Sequence, residues 1–146
     1  MAAVTQERTG PLIGRAVVCL STIDLDFIWQ GHQEIMARLA KAGDQVLFIE
    51  NTGVRTPTFK DFKRVLHRLQ NWRRGISGFH QERPNLVVLS PILLPFPYAW
   101  WARRINAWLI NRAISAWVRA MRCDAPVVWT FLPTLLSCDV IDSLSP

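Results

Sequence analysis

The chain is 146 residues long, half of them hydrophobic and 19% charged, a composition that fits one globular domain and excludes a disordered chain. Its formal net charge of +6 is concentrated in residues 55–74, which carry seven basic residues and one acid, so that the rest of the chain sums to zero. Such a basic segment favours anionic partners, namely phosphates, anionic lipid head groups or nucleic acid, over cationic ones.

The cysteines and the N-terminus indicate the compartment. Cys19, Cys123 and Cys138 lack the spacing of a metal site or a redox motif, which is typical of small buried residues in a reducing cytosol. Residues 1–14 predict a flexible leader, because they are polar and contain no hydrophobic segment of a signal peptide. The apolar stretch LVVLSPILLPFPYAWWA is interrupted by three prolines, which argues against a transmembrane helix. We therefore expect a cytoplasmic protein that binds no metal.

In chain order, the first elements follow a strand–helix–strand pattern. A continuous apolar run predicts a buried strand near 16–22. A helical stripe then predicts a helix from about Trp29 to Ala42, with Gly43 as its C-terminal cap. Residues 45–50 predict a second buried strand, separated from the helix by two residues as in compact α/β units.

The middle of the chain predicts two more helices and a strand. Residues 58–74 have the spacing of a basic amphipathic helix, with phenylalanines and leucines on one side. The glycines and the proline between Gly75 and Pro84 predict a loop, and LVVLS predicts a strand at 86–90. A long helix is expected over about 98–122. Its predicted buried stripe consists of Trp101, Ile105, Trp108, Leu109, Ala113, Ala116, Trp117 and Ala120.

The last elements complete an alternating series. Residues 125–131 predict a fourth strand, and Pro133-Thr134 predicts the start of a final helix. The alternation predicts an α/β fold: a Rossmann-like parallel sheet of about four strands, with helices on both faces and right-handed crossovers. We expect residues 15–146 to form this single domain, and we find no internal repeat.

The loop after the first predicted strand, STIDLDFIWQGHQ, is the strongest candidate site, because open α/β sheets bind ligands at the carboxyl ends of their strands. The N-terminus of the following helix offers free N–H groups to a phosphate or carboxylate, and Gly31 allows a close approach. His32 is the candidate general base or ligand of a sugar hydroxyl, and Asp26 is the second catalytic candidate. The simpler alternatives are that Asp26 caps the helix and that His32 is structural.

Further candidates for binding an acceptor or a phosphate lie in this loop and at the ends of the second and fourth predicted strands, on the same sheet edge. They are Ser21, Asp24, Trp29, Gln30, Gly31, Glu50, Asn51 and Thr130. Phe131, Pro133 and Thr134 either line this edge or merely end the strand. An NAD site is not favoured, since the loop has one glycine and no GxGxxG motif.

The basic amphipathic helix is the candidate membrane surface, because clustered cations bind anionic lipid and Trp prefers the interface. Its candidate lipid contacts are Lys60, Lys63, Arg64, Arg68 and Trp72. Trp100, next to prolines and arginines, is a further aromatic candidate for the interface. The alternative is an ordinary solvated face on a helix whose apolar stripe covers the sheet.

Three stretches carry a resemblance to a known family: VVCLSTIDLDFIWQGHQEIMARLAKAGDQVLFIENTGVRTP, NLVVLSPILLPFP and PVVWTFLPT. Together they resemble the N-terminal half of bacterial GT-B glycosyltransferases of the group 1 type, and the resemblance spans about residues 15–146. The most specific piece is the aromatic-rich loop DFIWQGHQ. The chain departs from the family at Gly31-His32-Gln33, where many members have Arg-Pro-Gln.

The resemblance implies the acceptor-binding half of an enzyme that transfers a sugar from a nucleotide-sugar to a glycan or lipid-linked acceptor in cell-surface polysaccharide synthesis. The loop after the first strand would meet the acceptor hydroxyl and the donor phosphate. A C-terminal domain or a partner chain would bind the nucleotide-sugar, so that this chain alone binds no cofactor and is inactive. A lipid-linked acceptor would bring the protein to the inner face of the plasma membrane. We expect no nucleic-acid partner. The alternative is a non-catalytic α/β module for ligand binding or membrane docking.

Overall fold

The computed structural model describes residues 15–23, 25, 31–50, 52, 78–94, 96–123 and 125–144. The predicted leader at 1–14 and the predicted basic helix at 58–74 lie outside the described residues. The same holds for the site candidates Asp24, Asp26, Trp29, Gln30, Asn51, Lys60, Lys63, Arg64, Arg68 and Trp72.

The described elements follow the predicted order, with one additional strand before the third predicted one. They are β1 (Ala16–Leu20), α1 (Gly31–Ala42), β2 (Gln45–Ile49), β3 (Phe79–Arg83), β4 (Leu86–Leu89), α2 (Trp100–Met121), β5 (Val127–Thr130) and α3 (Leu135–Leu144). The predicted strands correspond to β1, β2, β4 and β5, and their observed ends differ from the predicted ones by two residues or fewer. These predictions are confirmed.

The described strands form one five-stranded sheet in the order β3-β4-β2-β1-β5. β1 pairs in parallel with both β2 and β5, and β2 pairs in parallel with β4. β3 pairs antiparallel with β4, so the sheet is mixed. The α/β fold with four parallel strands is thus confirmed, whereas the fifth strand was not predicted.

β3 lies at the edge of the sheet, where the sequence predicted a loop. Four of its five residues, from His80 to Arg83, are exposed, so the strand has no alternation of buried and exposed side chains to indicate it. Backbone pairing with β4 makes the strand, and the turn between them places Asn85 at a φ of 64°. A polar, charged edge of this kind resists pairing with other chains.

The core has two layers, one on each face of the sheet, because successive strand residues point to opposite faces. On one face, strand residues pack against α2 and α3, and the buried set includes Val18, Leu20, Leu47, Ile49, Ile110, Ile114, Trp117, Leu136 and Val140. On the other face they pack against α1, and the buried set includes Val17, Cys19, Val46, Phe48, Val88, Met36 and Ala40. Since helices pack on both faces, a ligand reaches the central strands β1 and β2 from their ends.

The buried side of α2 differs from the predicted one. Its buried residues are Ala102, Asn106, Ala107, Ile110, Ile114 and Trp117. Trp101, Ile105 and Trp108, which the sequence placed in the core, are 45%, 43% and 59% exposed. Among the large residues of the predicted stripe, only Trp117 is buried. Two sides of α2 are apolar, and periodicity does not show which of them faces the sheet.

A buried polar residue fixes the side that α2 presents to the core. Asn106 is fully buried, and its Oδ1 accepts a hydrogen bond of 2.8 Å from the backbone N–H of Leu94. Its Nδ2 donates to the backbone oxygen of Leu94 at 3.1 Å. The side-chain amide therefore pairs with both backbone polar groups of Leu94, in the loop that leads into α2. An apolar side chain would leave these groups without a partner. Within the described part of the chain, no helix is long and apolar enough to cross a membrane.

Candidate functional site

The strand order creates a crevice at one end of the sheet. From β1 the chain proceeds to β2 and then β4 on one side, and later returns to place β5 on the other side of β1. The helix that follows β1 packs on one face of the sheet, and the helix that follows β5 packs on the opposite face. The loops after these two strands therefore diverge, and open α/β sheets bind ligands where this occurs. The candidate site is the crevice at the carboxyl ends of β1 and β5.

Two aromatic rings meet at this crevice. His32, the second residue of α1, stacks on Phe131, the residue that follows β5, with ring centroids 4.0 Å apart and an interplanar angle of 11°. The ring of Trp129 lies 5.8 Å from that of Phe131 and is tilted against it. The stack holds the imidazole in one orientation at the sheet edge.

The imidazole has unused hydrogen-bonding capacity. Its Nδ1 atom is buried and has no hydrogen-bond partner among the residues that the structure describes. A buried polar atom left without a partner costs free energy, so a ligand hydroxyl or an ordered water at this atom would be stabilising. Beside it, Gly31 is exposed, and a Cβ atom built there would meet nothing within 4 Å. The residues that the structure describes therefore leave the space beside Gly31 open.

Glu50 joins three strand ends beneath the crevice. Its side chain is almost completely buried, Oε1 accepts a 2.7 Å hydrogen bond from the backbone N–H of Leu25, and Oε2 accepts one from the hydroxyl of Ser90. Glu50 thereby connects the loop after β1 with the ends of β2 and β4. Because both carboxylate oxygens are engaged, this geometry favours a structural role, and a direct ligand contact by Glu50 stays a prediction.

Ser21 fixes the first turn of the loop after β1. Its hydroxyl donates to the backbone oxygen of Ile23 at 3.1 Å and accepts from the N–H of the same residue at 3.2 Å. The backbone N–H and the hydroxyl of Thr52 both donate to the backbone oxygen of Ser21 at 2.9 Å. Ser21 and Thr52 are both buried, so they support the crevice from below.

Thr130 and Thr134 shape the other wall. The hydroxyl of Thr130, at the end of β5, donates to the backbone oxygen of Leu132 at 3.1 Å. The hydroxyl of Thr134 accepts a 3.0 Å hydrogen bond from the N–H of Ser137 and so caps α3. The sequence predicted both residues at this edge, and both lie there.

A cleft of about 190 Å³ opens at the same edge on the side of α2 and α3. It is lined by Thr52, Pro97, Tyr98, Arg103, Asn106, Thr134, Leu135 and Leu136. The guanidinium Nε of Arg103 lies 3.1 Å from a carboxylate oxygen of Asp139, which fixes the cation at the wall. Ligand pockets commonly measure about 300–1,000 Å³, so this cleft is smaller than an ordinary small-molecule site. Sequence reasoning missed the α2 residues of the cleft because it assigned the wrong buried side to that helix.

The described candidates thus share one edge of the sheet: Ser21, Gly31, His32, Glu50 and Thr130. No group of three or more His, Cys, Asp or Glu within the described ranges is arranged to hold a metal ion. A scan against protein-family models and searches of curated proteins and of solved structures found no match. The resemblance to glycosyltransferases therefore stays a prediction from the sequence.

Proposed function

We propose that this domain binds a sugar-containing acceptor in the crevice between β1 and β5, as the acceptor half of a nucleotide-sugar-dependent glycosyltransferase. The observation that supports this most strongly is the stack of His32 on Phe131 at the point where the loops diverge. An aromatic face packs well against the C–H face of a sugar ring, and an imidazole nitrogen hydrogen-bonds to a hydroxyl. Both groups stand at the edge where open α/β sheets bind ligands.

In the proposed reaction, the acceptor oxygen forms a bond to the anomeric carbon of the donor sugar. The bond from that carbon to the nucleoside diphosphate breaks, and the diphosphate leaves with its electron pair. His32 accepts the proton of the acceptor hydroxyl as general base. The first turn of α1, which begins at Gly31, offers backbone N–H groups and the positive end of the helix dipole to the negative charge.

A second domain or partner chain that faces this edge would bind the donor. Calorimetry of the purified chain with common sugar nucleotides is then expected to detect no micromolar binding. Micromolar binding would mean that the donor site lies on this chain. It would contradict the proposal that acceptor and donor bind to different domains.

The test of acceptor binding is an array of immobilised glycans and lipid-linked saccharides probed with the purified chain. We expect binding to a subset of saccharides, weakened more than tenfold by Phe131→Ala and unaffected by His80→Ala. His80 is the matched control because it is an exposed aromatic residue on β3, at the far edge of the sheet. Absence of binding to any saccharide, or equal loss in both variants, would contradict the proposal.

The second candidate function is a non-catalytic docking module. The observation that favours it is the exposed aromatic side of α2, and not the crevice. A docking surface and an acceptor site are compatible in one protein, so the two are tested separately.

A further inference from the structure

The outward side of α2 is an aromatic surface with cations on it. Trp101, Ile105 and Trp108 are spaced by three or four residues, so they share one side of the helix, opposite the buried residues. They are 45%, 43% and 59% exposed. The loop before the helix adds Phe96, whose ring centroid lies 5.7 Å from that of Trp101. We call the set Phe96, Tyr98, Trp100, Trp101, Ile105 and Trp108 the aromatic face.

Arginine side chains lie within this surface. Arg104 and Arg112 are exposed and occupy the same side of α2 by their spacing from Trp101 and Trp108. The guanidinium carbon of Arg112 lies 5.6 Å from the ring centroid of Trp108, the distance of a cation–π contact. The sequence from 91 to 123 contains five arginines and no acid. A carboxylate of the neighbouring helix, that of Asp139, lies 3.1 Å from Arg103, away from Arg104 and Arg112 in the helical spacing.

These observations point to one kind of partner. We propose that the aromatic face and its arginines dock on the surface of an anionic lipid bilayer. Trp and Tyr side chains have an apolar body and a polar group, and they are enriched where hydrocarbon meets head groups. Arginines among them pair with lipid phosphates, and each cation near an anionic surface contributes roughly 1 kcal/mol.

Charge complementarity disfavours two other occupants. In a symmetric contact with a second copy, Arg104 and Arg112 would approach the same residues of the partner, which costs free energy through like-charge repulsion. The chain's own segment 55–74 carries the whole net charge of +6, so like-charge repulsion disfavours its packing on these arginines as well. An anionic surface is the partner that the cations favour.

The aromatic face is continuous with the cleft at the sheet edge. Tyr98 and Leu135 both line the cleft, and they are 86% and 56% exposed. Docking through the aromatic face would bring the mouth of the cleft to the lipid surface. An amphiphilic ligand anchored in the bilayer would then reach the crevice without leaving the membrane. The docking itself does not depend on the proposed glycosyltransferase activity.

The experiment is co-sedimentation of the whole chain with vesicles of phosphatidylcholine alone and of phosphatidylcholine mixed with phosphatidylglycerol. We expect binding to the anionic vesicles at low salt and much weaker binding to the neutral ones, since salt screens exposed charges. The variant Arg104→Gln/Arg112→Gln is expected to weaken binding by about 25-fold, roughly fivefold for each cation. The variant Trp101→Ala/Trp108→Ala is expected to weaken it at least tenfold.

The matched control is Ile35→Ala/Arg38→Gln. It removes an exposed apolar residue and an exposed arginine from α1, on the other face of the sheet, and is expected to leave vesicle binding unchanged. A further variant, Lys60→Gln/Lys63→Gln/Arg64→Gln/Arg68→Gln, tests the basic segment that the sequence predicts at the membrane. All altered side chains of α2 and α1 are exposed, and circular dichroism checks that each variant folds.

The outcomes separate the alternatives. Loss of binding in both α2 variants supports the proposal, whether or not the basic segment adds to it. Equal binding to neutral and anionic vesicles, no binding to either, or loss only in the basic-segment variant would overturn it. Concentration-dependent self-association that the α2 variants abolish, without vesicle binding, would identify a second copy as the occupant. Saccharide binding without vesicle binding would leave the proposed function standing and refute the docking alone.

Discussion

The imidazole of His32 lies nearly parallel to the ring of Phe131, at a centroid separation of 4.0 Å. His32 is the second residue of the helix after β1, and Phe131 directly follows β5, the strand on the opposite side of β1 from β2. The contact therefore joins the loops on the two sides of the crevice and places an imidazole there.

His32→Ala is the first prediction. In an active enzyme that contains this chain, we expect the substitution to lower kcat/KM for the acceptor more than tenfold, a loss of about 1.4 kcal/mol of transition-state stabilisation. His80→Ala serves as the control, because that residue is exposed on the edge strand β3. Unchanged kinetics in a folded His32→Ala protein would assign the residue a structural role.

Glu50→Ala is expected to act on stability. The substitution leaves the buried N–H of Leu25 and the hydroxyl of Ser90 without their acceptor, and each lost bond to a charged group is worth about 1.5–3 kcal/mol. We expect urea denaturation to show a decrease of roughly 3–6 kcal/mol in the free energy of unfolding, the sum of the two bonds. Glu34→Ala, which breaks an exposed pair with Arg38, should cost less than about 1 kcal/mol. A decrease below about 1 kcal/mol in the free energy of unfolding of Glu50→Ala would contradict the structural role and leave Glu50 as a candidate ligand contact.

Trp117 and Trp108 form a matched pair that tests the orientation of α2. Trp117 is 6% exposed and Trp108 is 59% exposed. Trp117→Ala is expected to destabilise the fold by about 3–5 kcal/mol through loss of buried surface, whereas Trp108→Ala should cost less than about 1 kcal/mol. Thermal unfolding of the two variants measures the difference. An equally large loss in Trp108→Ala would support the stripe predicted from the sequence, which contains both residues.

Cys19 should be unreactive in the folded chain. Burial in the core raises the pKa of its thiol from 9.0 to about 12, so almost no thiolate forms near neutral pH. DTNB is expected to modify the exposed Cys138 rapidly and Cys19 only after unfolding. Mass spectrometry of the labelled peptides identifies the sites, and early labelling of Cys19 would contradict its burial.

The same shift predicts a pH dependence of stability. The folded pKa lies above the unfolded one, so the contribution of the thiol is fully present below pH 9.0 and is lost as the pH rises towards about 12. One such group lowers the free energy of unfolding by at most about 1.4 kcal/mol per pH unit. Cys19→Ala should reduce this slope between pH 9 and 11, and Cys138→Ala should not.

The sequence predicted the buried parallel strands well, because Ala16–Leu20 and Gln45–Ile49 are continuous apolar runs that suit only the middle of a covered sheet. It did not predict β3, since four of its five residues, from His80 to Arg83, are polar and exposed, and the strand forms through backbone pairing with β4 while Phe79 packs against the core. For α2 it identified the helix but not its buried side, which depends on a tertiary contact: the bond between Asn106 and Leu94.

The sequence predicted where the candidate site lies, but not which side chains contact one another there. Gly31, His32, Thr130 and Phe131 follow or end predicted parallel strands, and such ends share one sheet edge. The stacking of His32 on Phe131 depends on the order of the strands, which places β5 beside β1. No local sequence pattern specifies that order, so the contact between His32 and Phe131 could not be predicted from the sequence.

The most direct test of the central claim, that the crevice between β1 and β5 is the ligand site, is chemical-shift mapping by NMR. The ¹⁵N-labelled chain is titrated with the saccharide that it binds most strongly on the array. We predict that the largest amide shifts occur at Ser21–Ile23, His32 and Thr130–Thr134. Largest shifts at the opposite ends of the strands, around Gly43, Asn85 and Ala125, would contradict the claim.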